Sequence, residues 1–374
     1  MRFNVEGKLF QQQLQAVSKV INAKNTMQIL DNFLLRVTGD TLEITGSDSE
    51  NMVKAAMPVI DSQTDGAVAV SAKTLLEITK EIANQPITFE VDEETYEIDI
   101  NFLTGHFNFM GNNPAEYPEQ TPDQENPTKL VVPAKVVFDG IDKTLFAVSA
   151  ETIRPVMTGI FWDIHKEDIT FVASDTHKLV RYINYKTQPG IEASFIMPSK
   201  PAAIIKNIMQ KEEGDVEIIM DSRSATFAFG SYLISCRFVK GNYPNYNRVI
   251  PQTNPFVMTV DKATLQNAMR RVSIFASKAS NLVKFTLQPM EVILAAQDLD
   301  YQTSAEEKVP CQYEGNDMVI GFNAVYTTEI LNNINCDEIV VRLADPARPG
   351  VFEPATQAEQ ENQIVIEMPL QVFD

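Results

Sequence analysis

Leu42–Asp48 (LEITGSD), Ile169–Asp175 (ITFVASD) and Val292–Asp298 (VILAAQD) read as one motif written three times: a strand-like run that ends in a small or polar pair followed by aspartate. The three aspartates stand 127 and 123 residues apart, each close to one third of the 374-residue chain. Tyr117-Pro118 and Tyr243-Pro244 recur at a similar interval, 126 residues. Self-similarity at a fixed period marks a structural unit used repeatedly, and it governs every later reading of the fold.

Working outward from the motif, each third opens with apolar residues at helical spacing, such as Leu9, Leu14, Val17 and Ile21. Strands follow: Phe33–Val37 and Thr41–Thr45 flank Gly39-Asp40, a hairpin turn pair. A second helical segment then appears, at Ala72–Ile82, Pro201–Met209 and Ala324–Ile334, succeeded by more alternating strands such as Ile87–Val91 and Val216–Met220. Each third is therefore two copies of a helix plus a small antiparallel sheet, an α+β fold. Gly111–Thr128, with four prolines and no long apolar run, reads as a linker, and Gly241–Pro255 as a shorter one. The expected domains are 1–125, 126–252 and 253–374. Coincidence within ordinary α+β domains is the alternative to a true repeat.

Apolar residues at 44% and charged residues at 22% are normal for a globular chain with room for cores. Three scattered cysteines, Cys236, Cys311 and Cys336, offer neither a disulfide framework nor a CxxC zinc pair. The opening MRFNVEGKLF lacks a signal-peptide pattern, and no apolar run reaches the roughly 20 residues of a membrane span, so the expected compartment is the reducing cytoplasm, without membrane contact.

A net charge of −19 argues at first against nucleic acid, because DNA binders usually neutralise phosphates with a basic surface. Its distribution answers the objection. Windows 8–25, 73–84, 134–145, 198–211, 262–278 and 323–334 hold 14 of the 31 basic but only 5 of the 50 acidic residues, although the sixth has no basic residue. If the helices share a face, Lys19, Lys24, Lys73, Lys80, Lys135, Lys143, Lys200, Lys206, Lys211, Arg270, Arg271 and Lys278 are the candidate phosphate contacts. Such contacts hold a duplex without reading bases. Lysine and arginine are also good formers of solvated helix faces, and for any single residue that is the plainer reading.

Catalytic signals are missing. His106, His165 and His177 are too scattered for a metal cluster, and neither a phosphate loop nor GxGxxG occurs. Ser174, Asp175 and His177 have triad chemistry but sit too close in sequence at a strand end to converge. No catalytic residue, metal or cofactor is expected.

The opening MRFNVEGKLFQQQLQAVSKVI, the stretch NTMQILDNFLLRVTGDTLEITGSDSE, ASDTHKLVRY (Ala173–Tyr182), KGNYPNYNRVIP (Lys240–Pro251) and the ending IEMPLQVFD (Ile366–Asp374) resemble the bacterial beta clamp family, the beta subunits of DNA polymerase III. The resemblance spans essentially the whole chain. It implies a non-catalytic sliding clamp of three similar domains, two subunits closing head to tail into a ring around duplex DNA. It also implies partners: the replicative polymerase, a clamp loader that brings its own ATPase, and repair proteins, all docking through short, largely apolar peptides. The family's peptide cleft maps onto Met157, Ser174, Thr176, His177, Lys178, Leu179, Pro244, Arg248, Val249, Ile366, Met368, Pro369 and Leu370. Leu179, Val249 and Ile366 read equally well as plain core. Thr176 stands where glycine is common, Lys178 and Gln371 where arginine is common, so the resemblance implies the cleft but does not carry the family's peptide preference over to this chain. The implied subunit contact joins Phe107 and Phe109, alternating onto one strand face, to Ile274 and Phe275. Two other readings compete: an acidic repeat scaffold that binds no nucleic acid, and an enzyme working near His177.

Overall fold

The computed structural model describes residues 1–118, 127–210 and 212–372. Residues 119–126 of the first linker, Lys211 and the last two residues therefore lie outside the described residues. Six α-helices occur among the described residues: α1 (Gly7–Ser18), α2 (Ala72–Ile82), α3 (Ala134–Asp142), α4 (Ser199–Met209), α5 (Lys262–Val272) and α6 (Ala324–Asn333). Each follows directly on a strand and is followed by further strands, the order expected from the repeat.

Backbone contacts divide the chain into two compact units. The first comprises Met1–Phe138 with Lys200–Phe238, the second Asp139–Ser199 with Val239–Asp374. In the first unit, strands Arg2–Glu6, Pro86–Val91, Glu97–Phe102 and Gly105–Met110 form a four-stranded sheet, and an eight-stranded sheet pairs Asn51–Pro58 with Tyr232–Arg237 at its centre. In the second, a nine-stranded sheet pairs Lys178–Asn184 with Glu361–Glu367, and a four-stranded sheet runs Thr303–Pro310, Glu291–Asp298, Leu282–Gln288, Met318–Asn323. Every pairing is antiparallel, so short hairpins suffice as connections. The Gly39-Asp40 hairpin forms as expected, with Gly39 at φ +56°, a conformation that costs other residues a steric clash with their Cβ.

The helices bury one stripe each. Phe10, Leu14 and Val17 of α1 point inward at helical spacing, and Phe10 meets Phe89 edge-on at 5.3 Å. Helix α1 stops at Ser18, so Ile21 lies beyond it and Lys24 is not a helical residue. Lys143 and Lys278 likewise fall past the ends of α3 and α5, because those helices close at Asp142 and Val272. In the second unit, Trp162 is fully buried between Phe171 and Phe195, at 4.5 and 5.2 Å between ring centres.

Gly140 in α3 lies against Phe171, where a Cβ would come within 2.3 Å of the ring. Gly140→Ala gains about 1 kcal/mol of helix propensity but overpacks a core, which costs roughly 1–3 kcal/mol. Because Phe171 is wholly buried and has nowhere to retreat, calorimetry should find a lower melting temperature in Gly140→Ala; an unchanged or higher one would show that the ring relocates freely.

Candidate functional site

The strand Ile169–Ser174 and the strand Lys178–Asn184 are joined by a tight turn organised by Asp175. One Asp175 oxygen accepts the backbone N–H groups of His177 and Lys178, both at 2.9 Å. Ser174 donates its hydroxyl to the Lys178 carbonyl at 2.8 Å and accepts from the Thr176 N–H. The Ser174 hydroxyl thus closes the turn, and no hydrogen bond joins it to the His177 imidazole. Thr176 has φ +80°, the left-handed region that glycine enters freely and a β-branched residue enters only under strain.

Lys178 is buried, and its ammonium bridges Asp175 and Glu329 while lying 4.7 Å from the centre of the Tyr326 ring. Burial disfavours its charge, but the two carboxylates outweigh that and hold its pKa above the usual lysine value. His177 stacks on Tyr326 at 5.3 Å. Beneath them Glu367 is fully buried, accepting from the Asn323 N–H at 3.1 Å and the Thr327 hydroxyl at 2.9 Å. Beyond it the chain end is held: Met368 N–H donates to the His177 carbonyl at 2.9 Å, and Leu370 N–H to the Gly321 carbonyl at 2.8 Å.

Above this framework opens a cavity of about 230 Å³. Ten of the expected cleft residues line it: Met157, Ser174, Thr176, His177, Lys178, Leu179, Pro244, Val249, Ile366 and Met368. Leu179 and Ile366 are direct cross-strand partners, so one apolar wall comes from two strands distant in sequence. Arg248, Pro369 and Leu370 do not line it: Arg248 is exposed on a short turn, and Leu370 is drawn off by its bond to Gly321. Sequence reasoning missed Arg154, Tyr243, Asn245 and Tyr246. The two tyrosines lie in the quoted NYPNY stretch, a visible but unread signal. Tyr243 stacks on Phe161 at 4.8 Å, and Tyr246 donates to Asp163 at 2.8 Å, so the segment is pinned as the second wall.

The basic candidates separate into two groups. Lys19, Lys24, Lys73, Lys80, Lys135, Arg270 and Lys278 are exposed and Lys206 is half-exposed. Lys143 and Lys200 are instead engaged inside their own units. Lys143 pairs with Glu361 at 2.6 Å and lies over the Tyr182 ring, while Lys200 is bonded to the Val20 carbonyl, Asn22 and Asp48. Both ammonium groups are thus already engaged by partners within the chain. Arg271, though exposed, is paired with Glu307. Phe107 and Phe109 are half-buried on the strand that ends the four-stranded sheet of the first unit, and Ile274 is 76% exposed on the turn after α5, with Phe275 beside it. Among the described residues no cluster of three metal-ligating side chains occurs.

Burial pushes the Glu367 carboxyl up to about 8, against its hydrogen-bond donors and Lys178. Between the ordinary 4.5 and about 8, the folded protein holds a proton that the unfolded chain has released, so stability falls as pH rises through that window. Glu361 acts elsewhere: burial opposes its charge, but Lys143 and Lys186 hold it down to about 2, so its contribution is lost only as pH falls below the ordinary 4.5. Denaturant unfolding of Glu367→Gln should therefore show a flatter stability profile than the native chain from about pH 5 to about pH 8. Parallel profiles would show that Glu367 stays ionised.

The models of the three DNA polymerase III beta subunit domains match in order: the N-terminal domain at residues 1–121, the central domain at 124–245 and the C-terminal domain at 247–369. The chain is 26% identical to the beta sliding clamp of Staphylococcus aureus strain N315 over 365 residues, 95% of this chain and 96% of that one. It superposes on the Bartonella birtlesii sliding clamp, solved bound to griselimycin, with a TM-score of 0.93, 26% identity and complete coverage of both chains. The Thermotoga maritima DNA polymerase III beta subunit, 24% identical with a TM-score of 0.91 and complete coverage of both chains, has the same fold. Three consecutive domain models covering nearly every residue, on a repeat that builds an apolar cleft without catalytic groups, place this chain in the family of bacterial DNA polymerase III beta subunits, the DNA sliding clamps.

Proposed function

We propose that two copies of this chain close head to tail around duplex DNA and tether the replicative polymerase, the clamp loader and repair proteins through the cleft at Leu179 and Ile366. The observation that carries this reading is the cleft itself: an open cavity with Met157, Leu179, Pro244, Val249, Ile366 and Met368 on its walls. Methionines adapt to varied apolar side chains, and a few polar groups orient an extended peptide. The domains are taken as 1–125, 126–252 and 253–374, and the work as cytoplasmic; no helix among the described residues is long and apolar enough to cross a membrane.

Ring closure is supported by two open sheet edges. Gly105–Met110 ends one four-stranded sheet and Thr303–Pro310 ends the other. Unpaired strand edges invite pairing with another chain; Phe107 and Phe109 lie on the first of these strands, and Ile274 and Phe275 on the turn that packs beside the second. The exposed lysines and arginines of the helix windows, Lys19, Lys73, Lys80 and Arg270 among them, supply non-specific phosphate contacts.

At a net charge of −19, retention on DNA is topological and only assisted by these cations. Loaded protein should persist on closed circles at high salt and leave linear DNA by its ends. Ile274→Ala with Phe275→Ala should remove roughly 3 kcal/mol or more per contact, giving monomers at micromolar concentration and no retention on circles. Equal loss from circles and linear DNA, or a double variant that stays dimeric by ultracentrifugation, would sink the ring or the assigned contact respectively.

The cleft is tested separately. Deleting Met368–Asp374 removes the Met368 wall and its bond to His177. Calorimetry should find binding of a polymerase-derived apolar peptide abolished, with the mass in solution still that of the dimer; full affinity would reduce the tail to a strand end.

A further inference from the structure

One turn is built twice in this chain with the same backbone geometry. Ser47 lies opposite Met52 and Ser174 opposite Leu179, so residues 48–51 and 175–178 form equivalent loops. Asp48 accepts the N–H groups of Glu50 and Asn51 as Asp175 accepts those of His177 and Lys178. Ser47 and Ser174 each donate to the carbonyl four residues on, at 3.0 and 2.8 Å, and each accepts an N–H from the residue after the aspartate at 3.2 Å. That residue, Ser49 in one turn and Thr176 in the other, stands at φ +79° and +80°. In the third repeat Asp298 also accepts two N–H groups, but Gln297 lies opposite Ser304, the ladder continues to Thr303, and the positive φ falls later, at Gln302.

The frame dictates the left-handed backbone, and the side chain placed on it is a separate choice. Seven non-glycine residues among the described ones have a positive φ, and Thr176 alone of them is β-branched. Glycine enters this region without strain, whereas the second heavy atom on a β-branched Cβ makes threonine an outlier there. Residues held in such a conformation persist where their surroundings over-determine them, and they gather at ligand clamps. Thr176 is exposed, its hydroxyl makes no hydrogen bond among the described residues, and it lines the apolar cavity. No bond of the turn uses the methyl group by which it differs from Ser49.

The wall at Thr176 is also the one least able to yield. Asp175 holds the two N–H groups that follow, Lys178 is bridged to Glu329, His177 lies against Tyr326, and the His177 carbonyl accepts the Met368 N–H. β-Branched side chains are stiff at χ1, so Thr176 adds a rigid edge to a pinned turn. Met157 and Met368, elsewhere on the same wall, are unbranched and adapt to what they meet. A cavity of about 230 Å³ that gives way at its methionines but not at its threonine has its size limit set by the threonine.

We propose that Thr176 is a specificity-determining residue of the cleft: its methyl group restricts one anchor position of the docking peptide to a branched aliphatic side chain such as leucine and turns away a larger aromatic one. The inference rests on the cleft being a peptide site and deepens that reading. Removing the methyl enlarges the cavity without collapsing the turn, because Ser174 and Asp175 hold the backbone and the Thr176 side chain does not. In an apolar pocket one methylene shifts discrimination roughly 10- to 200-fold, so a single methyl is enough to set the preference.

The probes are fluorescent copies of the polymerase-derived apolar peptide in which each apolar position in turn carries leucine or tryptophan. Anisotropy titration of the full chain should find one position at which leucine binds at least about tenfold more tightly than tryptophan. Thr176→Ser, which keeps the hydroxyl, and Thr176→Gly should each shrink that ratio at least about fivefold, whereas Thr176→Val, which keeps the branching, should hold it. Should valine unfold the turn by circular dichroism, the serine and glycine ratios decide. Thr176→Gly should also melt at a higher temperature than the native chain, since glycine relieves the strained φ. Ser49→Gly relieves the same φ in the sister turn and should leave every titration unchanged. If no copy binds the native chain, the peptide reading fails and this assignment with it. If the copies bind but Thr176→Gly or Thr176→Ser keeps the native ratio, or a folded Thr176→Val loses it, the cleft stands and the assignment to the threonine methyl is overturned.

Discussion

The antiparallel pairing of Lys178–Asn184 with Glu361–Glu367 is the interaction on which the candidate site depends. Seven residue pairs in register place Leu179 opposite Ile366 and Lys178 opposite Glu367. Side chains alternate across a strand, so a slip of one residue would send Ile366 to the other face and bring Glu367 out. The register is enforced from both faces. Val365 packs into the main core of the second unit, while Ile364 and Ile366 join Val172, Leu179 and Tyr246 in a smaller apolar cluster on the other side. The same pairing brings the chain end beside the Asp175 turn, where the Met368 N–H reaches the His177 carbonyl. A terminus that would fray as a free segment is thereby held as a wall of the cavity.

Charge is managed by burial and pairing rather than by its total. The acidic excess would repel a polyanion at long range, but screening limits that repulsion to about 10 Å at moderate salt. Within that distance individual cations decide, and their employment varies. Lys200 ties Asp48 to the carbonyl of Val20, Lys143 and Lys186 clamp Glu361, and Lys178 is enclosed by Asp175, Glu329 and Tyr326. Lys143 and Lys200 are engaged cations that a count of helix charge cannot separate from solvated ones. Among these pairs Lys178 and Asp175 are the most withdrawn from water, and for such a pair desolvation offsets much of the attraction. The Lys178 cluster fixes the orientation of the turn that floors the cleft.

Repetition with divergence accounts for most of what distinguishes one third from another. The turn aspartate keeps one task in all three, accepting two N–H groups, and its second oxygen is free to change partner. Around it the sheet positions drift from Leu34 to Phe161 to Lys284 and from Met52 to Leu179 to Ser304 without disturbing the ladder. Ladder hydrogen bonds are made by the backbone, so outward side chains are free to alternate between apolar and polar while the fold persists.

The α+β class, the threefold repeat, the second helix of each third and the Gly39-Asp40 hairpin were all legible in the chain, because they rest on local periodicity and turn chemistry that act over a few residues. Much of the cleft was legible through motif resemblance, from Met157 to Met368. Tyr243 and Tyr246 escaped although their stretch was noticed, since nothing local says that a ring will stack on Phe161 from 82 residues away. The helix ends were overrun at Lys24, Lys143 and Lys278 because apolar spacing continues past the last hydrogen-bonded turn. Arg248, Pro369 and Leu370 adjoin cavity-lining residues in sequence without lining the cavity themselves, and the Leu370 N–H bonds to the Gly321 carbonyl. By itself the sequence determined which segments are helix or strand and that they recur three times. Tertiary structure alone decided which lysines are spent on internal carboxylates and which wall residues face one another, because those depend on strand registers and approaches between residues far apart in the chain.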